Sequence, residues 1–215
     1  MGLRLAFWLA LVTLMIAAQY AGRATEGKPD REVLYRYSTA VGSAAGYVLV
    51  LVLVLAIAGF RADLLGLRRP RSWAAAAGWG VAILIGTYAV LLVLEPILHG
   101  GEEQGLTPPG WEPSHAGAYA ANFVVVAGMA AVVEELTFRG LGYSLLERYG
   151  RWVAIVVVGI AFGLAHGLVQ ALPELALFGC ALAWLRSRTD SVLPGMVVHG
   201  TFNAISLIAA VTVGN

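Results

Sequence analysis

The sequence predicts an all-α fold: a polytopic helical membrane bundle of about seven transmembrane helices. Three observations carry that prediction. Of 215 residues, 59% are hydrophobic and only 13% are charged, where soluble domains run near 25% charged. Apolar stretches recur along the whole chain, several of them approaching or exceeding the ~20 residues that span hydrocarbon as a helix. The 26 glycines suit helices that pack closely through small faces. A net charge of +1 gives no footprint for nucleic acid, and the single cysteine, Cys180, rules out an internal disulfide or a cysteine-based metal cage. The lipid bilayer is therefore the first expected partner. The protein is expected to be an integral multi-pass protein of the cell membrane.

The first span is predicted over residues 5–20. Arg4 precedes its apolar core and small residues follow, as in a cleavable signal peptide, but the polytopic remainder favours a retained helix. Residues 23–36 carry mixed charge and read as an interfacial linker. Residues 38–60 and 73–94 are long, uncharged spans. Residues 95–117 form the one substantial loop, with Pro108 and Pro109, several glycines, four glutamates and no Lys or Arg. A fourth span begins over residues 118–133 and a fifth covers 152–172. The sixth, 175–185, is short enough to tilt or insert only partly. The seventh covers 192–213.

Basic residues orient this bundle. Arg61, Arg68, Arg69 and Arg71 fall in the second connection, Arg148 and Arg151 in the fourth, Arg186 and Arg188 in the sixth. The third and fifth connections and the tail have none, which implies an inside amino terminus and an outside carboxyl terminus. The first connection runs against the rule, with Arg23, Lys28, Arg31 and Arg36 on the nominal outside.

Charge inside such spans costs roughly 3 kcal/mol per residue on insertion scales, so it signals function by default. Glu134, Glu135 and Arg139 close the fourth span, His166 lies late in the fifth, and His199 and Asn203 lie in the seventh. Neighbouring helical residues diverge by about 100°, so the two carboxylates are expected to serve different tasks. Glu135 stands four residues before Arg139, the favourable order for an ion pair along a helix. This pair is read as support for the site. Glu134 has no partner within its own helix and has Phe138 one turn beyond it, which suits a general base.

His166 follows Phe162 by one turn, and Asn203 follows His199 by one turn. A lone histidine on an apolar helix is usually a satisfied interior group. Two of them near a buried glutamate supply the parts to bind and deprotonate water. Glu134 could do this alone, or a divalent metal such as zinc could do it with Glu134, His166 and His199 as ligands. Asn203 could donate to an oxyanion, orient His199, or simply bond across helices. His99 and His115 lie in the acidic loop and are expected to be solvated.

The set Glu134-Glu135-x-x-x-Arg139, Phe162-x-x-x-His166 and His199-x-x-x-Asn203, in this order on late spans, resembles the CAAX protease and bacteriocin-processing (CPBP, or Abi) family. That family includes the type II CAAX prenyl endopeptidases. The resemblance covers residues 118–208. The stretch from Arg188 to Pro194 is also similar, although Asp190 stands where glycine is frequent. It implies an intramembrane endopeptidase acting on a peptide or membrane-associated protein. Glu134 would activate water with help from His166, while His199 and Asn203 would polarise the carbonyl. The chain then divides into residues 1–117, amino-terminal helices and the acidic loop, and residues 118–215, the catalytic helical core, within one membrane domain.

Two other classes remain open: a non-catalytic immunity or scaffold protein of the same family, and a small proton-coupled transporter. The second would be favoured by an internal repeat with matching broken helices, and the sequence has neither.

Overall fold

The computed structural model describes residues 2–26, 30–104, 108 and 110–212. Lys28, Pro109 and Val213, named above, lie outside the described residues. Every regular element among the described residues is helical. The principal helices are α1 (Gly2–Glu26), α2 (Tyr37–Ala58), α3 (Trp73–Leu98), the short α4 (Gly100–Gln104), the long α5 (Pro113–Tyr149), α6 (Arg151–Leu164), α7 (Leu172–Thr189) and α8 (Leu193–Thr212).

Among the described residues, five helices are long and apolar enough to cross a membrane: α1, α2, α3, α5 and α8. The all-helical membrane class stands, and the expected seven spans are not all met by these five. The fifth predicted span fails on length. Helix α6 has 14 residues, about 21 Å at 1.5 Å per residue, against a core of about 30 Å. It stops at Leu164 because the chain turns back through Gly167, whose φ of +67° places it in the left-handed region. The sixth fails on composition. Helix α7 runs for 18 residues, longer than expected, but carries Glu174, Arg186 and Arg188.

The expected loop over 95–117 is also shorter than read. Helix α3 continues to Leu98, α4 follows, and α5 already starts at Pro113. The segment 23–36 is partly helical, with α1 reaching Glu26 and a 3-10 turn at Val33–Tyr35.

Local chemistry explains where the elements end. Helix α2 closes on Gly59 at φ +64°, whose N–H bonds Ala56 O while the Phe60 N–H reaches Leu55 O at 3.0 Å. This is the left-handed cap that glycine makes cheaply. Ser72 opens α3 by accepting the Ala75 N–H. Helix α7 ends on Asp190 at φ +56°, which gives the physical reason glycine suits that position. There Asp190 bonds the guanidinium of Arg186 at 3.0 Å and that of Arg68 at 3.3 Å.

Helix α7 lacks a side-chain cap of its own and receives one from α4. Both carboxylate oxygens of Glu103 accept backbone N–H groups, from Val169 at 2.8 Å, Gln170 at 2.7 Å and Ala171 at 3.2 Å. These amides belong to the turn just before α7, and an anion there also suits the helix dipole.

The centre of the bundle is α5. Of its most apolar window 39% is buried, against none of that in α3. Two π-helical stretches interrupt it, Val124–Ala130 and Leu136–Gly142, leaving only Ala131–Glu135 as α-helix between them. A π stretch widens the turn and changes which residues share a face; such insertions are frequent at functional sites. Around α5 lies the main core, including Trp8, Phe138, Leu141, Tyr143, Phe162, Phe178 and Leu182. The indole N–H of Trp8 reaches the Thr137 carbonyl at 2.9 Å, tying α1 to the second π stretch. Helices α6 and α7 meet backbone to backbone. A Cβ on Gly179 would stand 2.7 Å from Gly159 O, and one on Gly159 would stand 2.7 Å from Cys180 N. Close approach through small residues is how helices pack where lipid removes the hydrophobic incentive.

Candidate active site

Glu134 and Glu135 occupy the α-helical island between the two π stretches of α5. Glu135 and Arg139 are fully buried and paired, Oε1 to Nη1 at 2.7 Å. The guanidinium also donates to Gly179 O at 3.0 Å and stacks 4.2 Å from the Phe162 ring centroid. Two buried charges thus neutralise one another, with a carbonyl and an aromatic face as further partners of the guanidinium, while Glu135 Oε2 and Arg139 Nε make no hydrogen bond. Phe138 meets Phe162 edge to face at 5.6 Å, so both expected support residues pack beneath the site.

His199, projecting from α8, closes the arrangement. Its Nδ1 lies 3.3 Å from Glu135 Oε1 and its Nε2 lies 3.8 Å from Glu134 Oε2. The two carboxylates, expected to serve separate tasks, therefore meet through one imidazole. A side chain about 100° away in helical phase still reaches it, because His199 comes from another helix and spans the gap. The imidazole is held by the edges of Phe162 at 5.5 Å and Phe178 at 5.6 Å. A glycine makes room: a Cβ on Gly195, one turn earlier on α8, would collide with Glu135 Oε2.

His166 follows the end of α6. Its Nδ1 is 2.8 Å from the Phe162 carbonyl oxygen, and its Nε2 is 4.0 Å from Glu134 Oε2. A carbonyl only accepts, so Nδ1 carries the hydrogen and Nε2 presents its lone pair. The same reasoning applies to His199, whose Nδ1 faces a carboxylate oxygen already paired with Arg139. In its neutral form each imidazole thus turns a lone pair towards Glu134 Oε2, a buried oxygen with no hydrogen-bond partner of its own. Three acceptors converge and none donates. The two separations are too long for direct hydrogen bonds and of a length that a bridging donor such as water would span.

The metal alternative fits less well. Among the described residues no group of three or more His, Cys, Asp or Glu is placed to hold a metal ion. The N···O separations of 3.8 and 4.0 Å also exceed the ~3.3 Å between two ligands lying about 2.0–2.1 Å from a tetrahedral zinc.

Asn203 makes a bond across helices. Its Nδ2 donates to Val126 O at 2.9 Å, across to the first π stretch of α5. That bond takes one amide hydrogen and fixes α8 against α5 one turn beyond His199. His99 and His115 are exposed, away from the cluster.

Sequence reasoning missed Tyr47. From the middle of α2 its hydroxyl donates to Glu134 Oε1 at 3.0 Å, supplying the partner that Glu134 lacks in its own helix. Nothing in an apolar run marks one tyrosine as facing the site, and no fixed spacing links it to residues so far along the chain. Accessibility grades across the cluster. The side chains of Glu135 and Arg139 are 0% exposed and that of His199 3%, whereas Glu134 and His166 reach 13% and 23%. The open edge of the site is therefore at Glu134 and His166.

On this geometry the comparisons with known proteins bear. Residues 116–205 match the family described as type II CAAX prenyl endopeptidase Rce1-like. No curated protein and no solved structure matches the chain.

Proposed function

We propose that this chain, a membrane protein of the CAAX protease family through residues 116–205, is an intramembrane endopeptidase that hydrolyses a peptide bond with water activated by Glu134. One observation carries the proposal. The unpartnered Oε2 of Glu134 and the Nε2 atoms of His166 and His199 surround one small gap, 3.8 and 4.0 Å across on the two measured edges.

A water in that gap gives one hydrogen to Glu134 Oε2 and the other to His166 Nε2. Its remaining lone pair then faces the open edge, where a peptide carbonyl enters. As the water oxygen bonds to the carbonyl carbon, Glu134 takes the proton. His199 is the group suited to the developing oxyanion. For that role His199 takes a proton on Nε2 from solvent before the carbonyl enters and returns it to solvent after the products leave; Glu135, accepting from Nδ1, balances the charge across the ring, as the carboxylate of a catalytic triad does for its imidazolium. Glu134 returns its proton to the leaving nitrogen, the C–N bond breaks, and a carboxylic acid and an amine result. Glu135, Arg139, Phe138 and Phe162 hold the imidazoles; Asn203 sets the height of α8. No step is routed through a metal.

The substrate class supported by a site embedded among apolar helices is a membrane-tethered peptide or membrane-associated protein. The test compares wild type with Glu134→Gln on such a peptide in liposomes, after both are shown to insert and melt alike. Glu134→Gln is expected to abolish cleavage. Undiminished cleavage by Glu134→Gln, or none by wild type across a panel of tethered peptides, would return the chain to the non-catalytic reading.

A further inference from the structure

We propose that Tyr47 is a positioning residue for Glu134, and that α2, which lies outside the family-matched segment, is thereby part of the reaction centre. As a statement about catalysis this rests on the function proposed above.

A glutamate side chain rotates about three bonds, and half a turn about the last exchanges its two oxygens. Only an oxygen turned towards His166 and His199 can share a water with them. Tyr47 decides which one it is. Its phenol donates to Oε1 at 3.0 Å, while Oε2, the atom 3.8 and 4.0 Å from the imidazole nitrogens, is left without a partner. A carboxylate only accepts, so the phenol hydrogen is committed to Glu134. The consequence is an asymmetric carboxylate, with one oxygen anchored and one free for the water. Without the phenol, Oε1 would itself be a partly buried acceptor lacking a donor, and it would compete for the same water.

The geometry also says why the anchor comes from α2. Two groups face Glu134 across the gap, the imidazoles of His166 and His199, and the guanidinium of Arg139 turns its Nη atoms to Glu135 and Gly179 instead. A donor had to come from the other flank of α5, and α2 lies there. Tyr47 contacts no substrate in this scheme. It acts through Glu134.

Three forms decide the matter: wild type, Tyr47→Phe, and Tyr88→Phe as a control for loss of a tyrosine hydroxyl on another helix. The Tyr88 hydroxyl donates to the Phe202 carbonyl on α8 at 3.4 Å. On a membrane-tethered peptide, Tyr47→Phe is expected to lower kcat by about 10- to 100-fold, the usual range for losing a supporting hydrogen bond. KM and the melting temperature should stay at their wild-type values, and Tyr88→Phe should cleave like wild type. A kcat unchanged in Tyr47→Phe, or one that falls only together with the melting temperature, overturns the proposal.

A readout independent of turnover separates this from the function itself. Infrared difference spectra, each form minus the same form carrying Glu134→Gln, isolate the Glu134 carboxyl band. That band should move between wild type and Tyr47→Phe. An unmoved band removes the hydrogen bond and the proposal with it. A moved band in a wild type that cleaves nothing refutes the enzyme reading while leaving Tyr47 as the anchor of Glu134.

Discussion

His199 Nδ1 lies 3.3 Å from Glu135 Oε1, so the carboxylate that neutralises Arg139 also determines which nitrogen of the imidazole carries hydrogen. The supporting pair and the working histidine are therefore one unit. Loss of charge at Glu135 reaches the reaction gap by two routes, through the guanidinium stacked on Phe162 and through the ring of His199.

Replacing Glu135 by Ala should accordingly damage the fold as well as the chemistry. It leaves a fully buried Arg139 without its counter-charge, and breaking one half of a buried pair costs about 3–5 kcal/mol. Thermal denaturation in detergent should show a large fall in melting temperature for Glu135→Ala. The double replacement Glu135→Leu with Arg139→Leu should recover much of the stability but none of the cleavage. Equal melting of Glu135→Ala and wild type would contradict the assignment.

Gly195→Ala offers a gentler test of the same unit. The added methyl collides with Glu135 Oε2, so either the carboxylate or α8 must move aside. Cleavage should fall at least tenfold while the protein still inserts, on the scale that a small misplacement of positioned groups costs. Turnover measured beside a melting curve checks this. An active Gly195→Ala would mean that the position of Glu135 is not critical.

Asn203→Ala should behave as the loss of an interhelical hydrogen bond. Its amide donates to Val126 O, and such bonds in membrane helices average about 0.6 kcal/mol. A modest drop in stability with a partial loss of rate is expected. A total loss of kcat without any change in melting would instead make Asn203 the oxyanion donor.

Chelation should leave cleavage intact. The separations around Glu134 Oε2 suit water rather than a bound zinc, so dialysis against a strong chelator is expected to change kcat less than twofold. Loss of activity on chelation and its return with added zinc would overturn the glutamate-activated water.

Much of this was legible in the chain, for identifiable reasons. Apolar length is read directly, and α2, α3 and α8 begin and end within a few residues of their expected places. Polar residues in apolar runs stand out, so Glu134, Glu135, Arg139, His166 and His199 were all visible before any coordinates. What stayed hidden depends on neighbours distant in sequence. Tyr47 looks like any aromatic in a span until α2 is laid beside α5. The second role of Glu135 depends on α8, and the early end of α6 depends on how Gly167 packs against Gln19. The π stretches were invisible because helical phase is read from alternating faces, and a segment such as Val124-Val125-Val126-Ala127 offers no contrast between them.

The two π stretches of α5 give the helix a property unlike that of its neighbours: its tolerance of a lost residue is set by register and not by membrane thickness. A π turn holds about one residue more than an α turn, so deleting one residue from Val124–Ala130 would let the wide turn close to ordinary α geometry with its flanks kept near their present phase. The α-helical Ala131–Glu135 has no such surplus. A deletion there would shorten the span by only about 1.5 Å, yet turn everything beyond it by about 100° against the rest. A bilayer would accept that helix, but Glu134 and Arg139 would no longer share the phase that Val126 sets against Asn203. Within one span, a lost residue is thus absorbed in the π stretches and damaging in the short α segment between them.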